Sequence, residues 1–352
     1  MTIEPSLHES MENAMHHDPQ THPFHVIGVD IGGGKIALGA VSSAGEVTAS
    51  QQYPTGPERP AEAVIDDLTA RIRKMTEEVP FEVDGLGVGV CGQVVMSSGV
   101  VRQSPNLPNW DDVPLRQRLE AALGLPVTVA NDMKVIALGQ WQYSSERAVD
   151  DLVVVFVGTG VGGGVIANGQ MLLGRDDHAG EVGHATIMVD GRECRCGNLG
   201  CLEAYVGGWA IAERAREAAE GDPREGAKLL ALAGGNLENI TAETVADANR
   251  EDDDLARRIV EETGHYLGAG MVGVVNGFNP SRLILGGGVL DGIPELLESV
   301  EAHVQRYALR ACTTDLEVIL AEFGAEAGIL GGAALAMQTL PNARSRSGEL
   351  DA

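Results

Sequence analysis

Within the stretch Glu181 to Glu203, EVGHATIMVDGRECRCGNLGCLE, one histidine and three cysteines (His184, Cys194, Cys196, Cys201) stand at spacings that suit a metal. Two carboxylates, Glu181 and Glu203, frame them. A set of four N/S donors suits tetrahedral Zn²⁺, and with no coordination position left open the ion would be structural. The carboxylates and the imidazole are more polar than a core requires, so the stretch reads as a zinc-shaped loop that presents polar groups to a substrate. Taken singly, Glu181 or Glu203 has an alternative as a group behind the zinc ligands or as a charge at a helix start.

A second candidate is the pair Asn131-Asp132, which follows the apolar run LPVTVA. In α/β sheets ligands gather outside the carboxyl ends of strands, where this pair would lie. An Asx turn or helix N-cap before MKVIAL predicts the same two residues. Three glycine clusters (32–34, 158–164 and 286–288) each follow an apolar run. Glycines at a strand end let backbone N–H groups approach an anion, although such turns are common without one. Lys35 and Lys134 are two of only four lysines and stand in the first glycine run and beside the Asn-Asp pair, where surface positions are the alternative.

The elements that must hold these residues alternate between strands and helices. HVIGVDI runs into Gly32-Gly33-Gly34-Lys35 and out again, which predicts strand, turn, strand. From Ala61 to Glu78 the apolar residues Val64, Ile65, Leu68, Ile72 and Met75 recur at helical spacing. VDGLGVGVCGQV predicts a buried strand, SPNLPNW an irregular turn, and VPLRQRLEAAL a helix ended by Gly124. DLVVVFV opens into GTGVGGG, a long small-residue helix is expected near Leu255 to Phe278, RLILGGGVL repeats the strand-then-glycine pattern, and GAEAGILGGAALAMQTL closes as a helix. Two duplicated α/β halves around a nucleotide site would explain the recurrence.

At 352 residues the chain exceeds what one core usually serves. We expect a polar tail over 1–23 (carrying His8, His16, His17 and His22), an α/β domain over 24–143, a larger one over 144–324, a helix over 325–340 returning to the first domain, and a flexible tail over 341–352. A formal charge of −26 argues against nucleic acid, whose phosphates need a basic surface. No apolar run reaches the roughly 18 residues of a membrane span, and the first residues lack the basic start and apolar core of a signal peptide. The expectation is a cytoplasmic protein. Three of five cysteines fall within eight residues, a metal spacing and not a disulfide framework, which leaves Cys91 and Cys312 as small buried hydrophobes.

In order, VDIGGGK, SPNLPNW, VAND, FVGTGVGGG, AGEVGH, CRCGNLGCLE and LILGGG resemble the ROK family of repressors, open reading frames and sugar kinases, from Val26 to about Leu340. The resemblance implies an α/β fold of the sugar kinase, hexokinase and actin (ribonuclease H-like) type, whose two domains close over ATP and a sugar. It implies Asp132 as general base, and Asn106, Asn131, Glu181, His184 and Glu203 as hydrogen-bonding partners of hexose hydroxyls, with His184 also a zinc ligand. Asp30, Gly32, Gly33 and Lys35 resemble the first phosphate segment, with Asp30 near Mg²⁺. Gly158, Thr159 and Gly160 resemble the second, and Gly286, Gly287 and Gly288 the adenosine side. The family usually has Thr where Gly34 stands, so a hydroxyl expected near phosphate is missing. The implied activity is ATP-dependent phosphorylation of a neutral hexose, with glucose as first expectation and a homodimer as the expected assembly. N-acetylglucosamine, N-acetylmannosamine, fructose, mannose or allose are alternative acceptors. A sugar-sensing repressor is a further alternative, set against the acidic charge and the roughly 25 residues before Val26. A sugar-binding protein without kinase activity is the reading that Gly34 suggests.

Overall fold

The computed structural model describes residues 24–144 and 149–340. The expected tails, and residues 145–148 at the start of the larger domain expected over 144–324, lie outside the described residues. The chain forms two compact units, one drawn from Met1–Ala148, Gln170–Ala179 and Glu322–Ala352, the other from Val149–Gly169 and Gly180–Ala321. Among the described residues no helix is long and apolar enough to cross a membrane.

The first unit is built on a sheet in the order β3-β2-β1-β4-β8: Val47–Pro54, Lys35–Ser42, His25–Ile31, Gly85–Val90 and Val127–Asn131. β1 and β2 are antiparallel across the Gly32–Gly34 turn, and β1, β4 and β8 run parallel. In the chain between β4 and β8, β5 (Gln93–Val95), β6 (Val100–Gln103) and β7 (Asp111–Val113) form a separate small sheet. Helix α1, Ala61–Glu78, buries the predicted stripe Val64, Ile65, Leu68, Ile72 and Met75. Helix α2, Leu115–Leu123, ends at Gly124 in the left-handed conformation, where glycine carries no Cβ penalty. Helix α3 covers Asp132–Tyr143.

The last described helix, Ala327–Thr339, packs on the same sheet at backbone distance. A Cβ on Gly28 of β1 would lie 1.8 Å from the Ile329 carbonyl oxygen, and one on Gly87 of β4 1.9 Å from that of Gly332. Any side chain at either strand position would push the helix away. The Gln170–Ala179 segment joins this unit through the Met96 N–H, which donates to Asp177 Oδ2 at 2.9 Å, and through Met171 and Leu173, which pack on the helix core.

In the second unit β9 (Leu152–Val157) and β10 (Val161–Ala167) are antiparallel across Gly158–Gly160. β9 is parallel to the strand Arg282–Gly286, which is parallel to Glu317–Leu320. Pairing directions therefore repeat those of β2, β1, β4 and β8. Helix α4 is Glu203–Val206, α5 Gly208–Gly221, α6 Asp254–Phe278 and α7 Glu295–Tyr307. Along α6, Gly264 and Gly268 abut Ser299 and His303 of α7, and Gly270 abuts Leu202, as close packing requires. Gly273 is not packed in this way: a Cβ there would meet nothing within 4 Å outside its own helix turn. Of the two remaining cysteines, Cys91 is buried 3.5 Å from Ser104 and Cys312 is half-buried against the core of this unit.

Candidate active site and metal centre

In the first unit Asn131 ends β8 and caps α3. Its Oδ1 accepts from the N–H groups of Met133 (3.0 Å) and Lys134 (3.3 Å), and its Nδ2 donates to the Gly92 carbonyl (3.1 Å) and to Asp132 Oδ1 (2.9 Å). Asp132 Oδ1 also accepts from the Met133 N–H at 2.9 Å. The cap alternative holds, and the amide that starts the helix also fixes one oxygen of the next carboxylate. The neighbouring Lys134 is buried, not on the surface.

The β1–β2 turn belongs to the same unit. The Gly32 N–H donates to the Lys35 carbonyl at 2.9 Å, while Thr55 donates its hydroxyl to the Gly32 carbonyl (2.7 Å) and its N–H to that of Gly34 (3.1 Å). Gly33 lies against Asn106, where a Cβ would come within 2.7 Å of the asparagine Cβ, whereas a Cβ on Gly34 would meet nothing within 4 Å. Asn106 and Lys35 are exposed. Asp30, at the end of β1, has its carboxyl pushed up to about 7 by burial and then by the charge of Asp132, against the pull of Lys35. Two carboxylates that raise one another's cost of ionisation form a place a divalent cation would relieve.

In the second unit the Gly158–Gly160 turn is seated on the start of α5. The Gly158 and Thr159 carbonyls accept from the N–H groups of Gly208 (2.9 Å) and Trp209 (3.2 Å). Glu203, the first residue of α4, reaches back over the turn: the Val161 N–H donates to its Oε2 at 2.9 Å, and the Trp209 indole N–H to its Oε1 at 3.3 Å. A Cβ on Gly160 would sit 2.5 Å from Oε2, so the missing side chain is the space the carboxylate occupies. Glu181 is exposed and precedes the short 3₁₀ turn Val182–His184, which lies on β10 so closely that a Cβ on Gly183 would be 2.1 Å from the Val161 carbonyl oxygen. Gly286 is buried at the end of its strand, Gly287 passes the end of β9 with φ 96°, and the exposed Gly288 opens a short helix that buries Val289 and Leu290.

His184, Cys194, Cys196 and Cys201 converge, one ligand atom from each lying within 4.8 Å of the others. Cys196 Sγ is 3.7 Å from Cys201 Sγ, and Cys194 Sγ is 3.8 Å from His184 Nδ1. Two thiolates bound tetrahedrally at about 2.3 Å from one zinc stand roughly 3.8 Å apart, so the donor set fits the ion in type and in spacing. The knuckle is shaped by its glycines. Gly200 has φ 74°, and a Cβ there would meet the Met188 carbonyl oxygen at 1.7 Å. Burial pushes the Cys194 thiol up to about 12 and also raises Cys201. Burial raises Cys196 too, but the Asn198 backbone and the neighbouring thiols outweigh it and bring Cys196 below its ordinary value. Metal binding would displace the protons of the raised thiols.

Each unit thus gathers part of the expected set: Asp30, Gly32, Gly33, Lys35, Asn106, Asn131 and Asp132 in the first, Gly158, Thr159, Gly160, Glu181, His184, Glu203 and the glycines at 286–288 in the second. Three participants are absent from the sequence reading: Thr55, Val161 and Trp209. Only Trp209 carried a signal, as one of three tryptophans in the chain, six residues past Glu203.

The sequence matches the ROK family over residues 26–339. The chain belongs to the ROK family. It is 32% identical over 316 residues to a glucokinase of Halalkalibacterium halodurans, covering 89% of this chain and 94% of that protein. It is 28% identical over 328 residues to the N-acetylglucosamine repressor of Shigella flexneri, covering 92% of this chain and 78% of the repressor. The ROK family glucokinase of Streptomyces griseus, solved in complex with glucose and AMPPNP, matches with a TM-score of 0.77 at 33% identity, covering 89% of this chain and 99% of that one. The fold is the two-domain α/β fold of ROK sugar kinases, of the sugar kinase, hexokinase and actin type. The repeated strand pairing of the two units is its duplication.

Proposed function

We propose that the protein is an ATP-dependent hexose kinase that converts glucose to glucose 6-phosphate. The observation that carries the reading is Asp132, held at the carboxyl end of β8 by Asn131 in the same unit as Asp30 and the β1–β2 glycine turn. A sugar hydroxyl is a weak nucleophile until a base accepts its proton. Asp132 takes that proton as the hydroxyl oxygen bonds to the γ-phosphorus and the bridging oxygen leaves with ADP. Oδ1 already accepts two hydrogen bonds, which hold the carboxylate in place while the proton moves.

Lys35 and Thr159, with the backbone of Gly32, Gly33, Gly158 and Gly160, bind phosphates, and Gly286, Gly287 and Gly288 border the adenosine. Asp30 holds Mg²⁺, which when bound with ATP neutralises the charge that builds on the phosphoryl group. Glu181, His184, Glu203, Asn106 and Asn131 bind hexose hydroxyls, which offer donors and acceptors in the number that carboxylates and amides can match. Several carboxylates repel a substrate that is already anionic, which supports a neutral sugar. His184, Cys194, Cys196 and Cys201 hold a structural zinc, with Nδ1 of His184 toward the metal and Nε2 toward a hydroxyl. The relationship to glucokinases at about one-third identity supports glucose.

Gly34, which lacks the usual threonine hydroxyl, and the relationship to a repressor favour a second reading, a sugar-binding protein without phosphoryl transfer. A coupled ADP-release screen over glucose, N-acetylglucosamine, N-acetylmannosamine, fructose, mannose and allose separates the two. Glucose-dependent ADP release is the expected result. Release with another hexose reassigns the acceptor, and hexose binding by calorimetry without ADP release sinks the kinase reading.

A further inference from the structure

We propose that Trp209 is a positioning residue for Glu203, and that Arg195, stacked on the Trp209 ring, couples the metal loop to that carboxylate. The proposal rests on the reading of Glu203 as a hexose ligand. A carboxylate held at one oxygen keeps the freedom to rotate about its last bond. Here Oε2 takes the Val161 N–H at 2.9 Å and Oε1 takes the indole N–H at 3.3 Å, so each oxygen has its own donor. The lone pairs left over are what the carboxylate can offer to a ligand's hydroxyls.

The indole is a rigid donor because it is itself held at three levels. Its backbone N–H is bonded to the Thr159 carbonyl at 3.2 Å, which ties it to the glycine turn. Its residue lies in the first turn of α5, and the Arg195 guanidinium stands 4.6 Å from its ring centroid. Arg195 lies between Cys194 and Cys196, so whatever orders those two cysteines orders the cation on the ring. Three residues earlier, Arg192 ties the same loop to α5 through Glu213 (2.9 Å) and Glu217 (2.7 Å). Cys194 Sγ is 3.8 Å from Glu203 Oε1 and can donate only as a thiol. A metal-bound thiolate has no proton to give, which leaves the indole as the donor to that oxygen. Packing alone would be served by phenylalanine; the N–H aimed at a carboxylate is what packing does not need.

The test compares the native chain with Trp209→Phe, which keeps the ring and loses the donor, and with Arg195→Ala, which keeps the donor and loses its backing. Zinc content, melting temperature, tryptophan emission, kcat and the separate KM values for glucose and ATP are measured on each. Loss of a hydrogen bond to a charged group predicts a roughly tenfold rise in glucose KM for Trp209→Phe, with zinc content, kcat and ATP KM near native. Loss of an exposed cation–π contact predicts a rise of about threefold for Arg195→Ala. Glucose should change the emission of the native chain and leave that of Trp209→Phe, which retains Trp110 and Trp141, unchanged. A folded, zinc-replete Trp209→Phe with native glucose KM overturns the proposal, as does a fall in kcat with glucose KM unmoved. Should Trp209→Phe fail to fold, Arg195→Ala decides, and native glucose KM there overturns the coupling. A native chain that neither binds nor phosphorylates a hexose overturns the reading of Glu203 itself, and that result is visible before any variant is made.

Discussion

Two glycine turns close the leading hairpins of the two units, and they use their missing side chains differently. Gly32–Gly34 joins β1 to β2, and Gly158–Gly160 joins β9 to β10, in sheets with the same pairing directions. In the second turn the space is filled: Glu203 occupies the place of a Cβ on Gly160, and the start of α5 is bonded to the turn's carbonyls. In the first turn the last glycine faces open space, while Thr55 fixes the carbonyls from behind. One duplicated device thus serves two ends, a packed platform for a carboxylate and an open cradle. The comparison says which glycines are required by shape and which are not.

The largest expected effect breaks the first unit at its base. Asp132→Asn keeps the size and the hydrogen-bonding shape but removes the proton acceptor, so kcat should fall by at least about 10²-fold. Hexose binding, assigned largely to the second unit, should change little by calorimetry. Near-normal turnover would show that Asp132 is the helix-start carboxylate and nothing more.

The matching break in the second unit is Gly160→Ala. Gly160 needs no left-handed backbone, so the cost is one of space: the methyl group displaces Glu203 from the Val161 N–H. Loss of a charge-assisted hydrogen bond and of the carboxylate's position predicts a glucose KM raised roughly 10- to 100-fold, with kcat affected less. An unchanged KM would show that the filled turn is packing alone.

Between these two cases lies what the sequence could and could not convey. Periodicity located α1 at Ala61–Glu78, and Gly124 marked the end of α2, because both are decided by residues a few positions apart. His184 and CRCGNLGC announced the cluster of four N/S donors that the structure gathers, because side-chain type and spacing are what a tetrahedral site selects. The capping of α3 by Asn131 was one of two readings of the same dipeptide, and it is the one the hydrogen bonds record. That Glu203 fills Gly160, 43 positions earlier in the chain, could not be read, since no local pattern records which distant group enters a vacant Cβ position. The role of Trp209 toward Glu203 was likewise not legible, because nothing in the sequence records where an indole N–H is aimed.

Stripping the metal tests whether the loop is built as the second unit implies. Chelation followed by gel filtration should raise glucose KM about tenfold before it moves ATP KM, because the four ligands hold the segment between Glu181 and Glu203 while the first turn belongs to the other unit. Re-addition of one equivalent of Zn²⁺ should restore it. A folded, metal-free preparation with native glucose KM would separate the loop's shape from the ion.

The smallest effect sharpens the contrast most, because it asks whether the open turn is open by need. A Cβ on Gly34 meets nothing within 4 Å, and its φ lies outside the left-handed region, so the Cβ of Gly34→Thr has room and demands no left-handed backbone of a β-branched residue. It should fold, and a loop glycine replaced at a compatible conformation stabilises by about 0.4–1 kcal/mol through the unfolded chain, seen as a small rise in melting temperature. If the turn cradles phosphate, the added hydroxyl supplies one neutral hydrogen bond, enough to lower ATP KM about two- to tenfold while glucose KM stays put. An ATP KM that rises, with the fold intact, would mean that the space beside Gly34 is already taken by the nucleotide, and that glycine there is as much a requirement of shape as it is at Gly160.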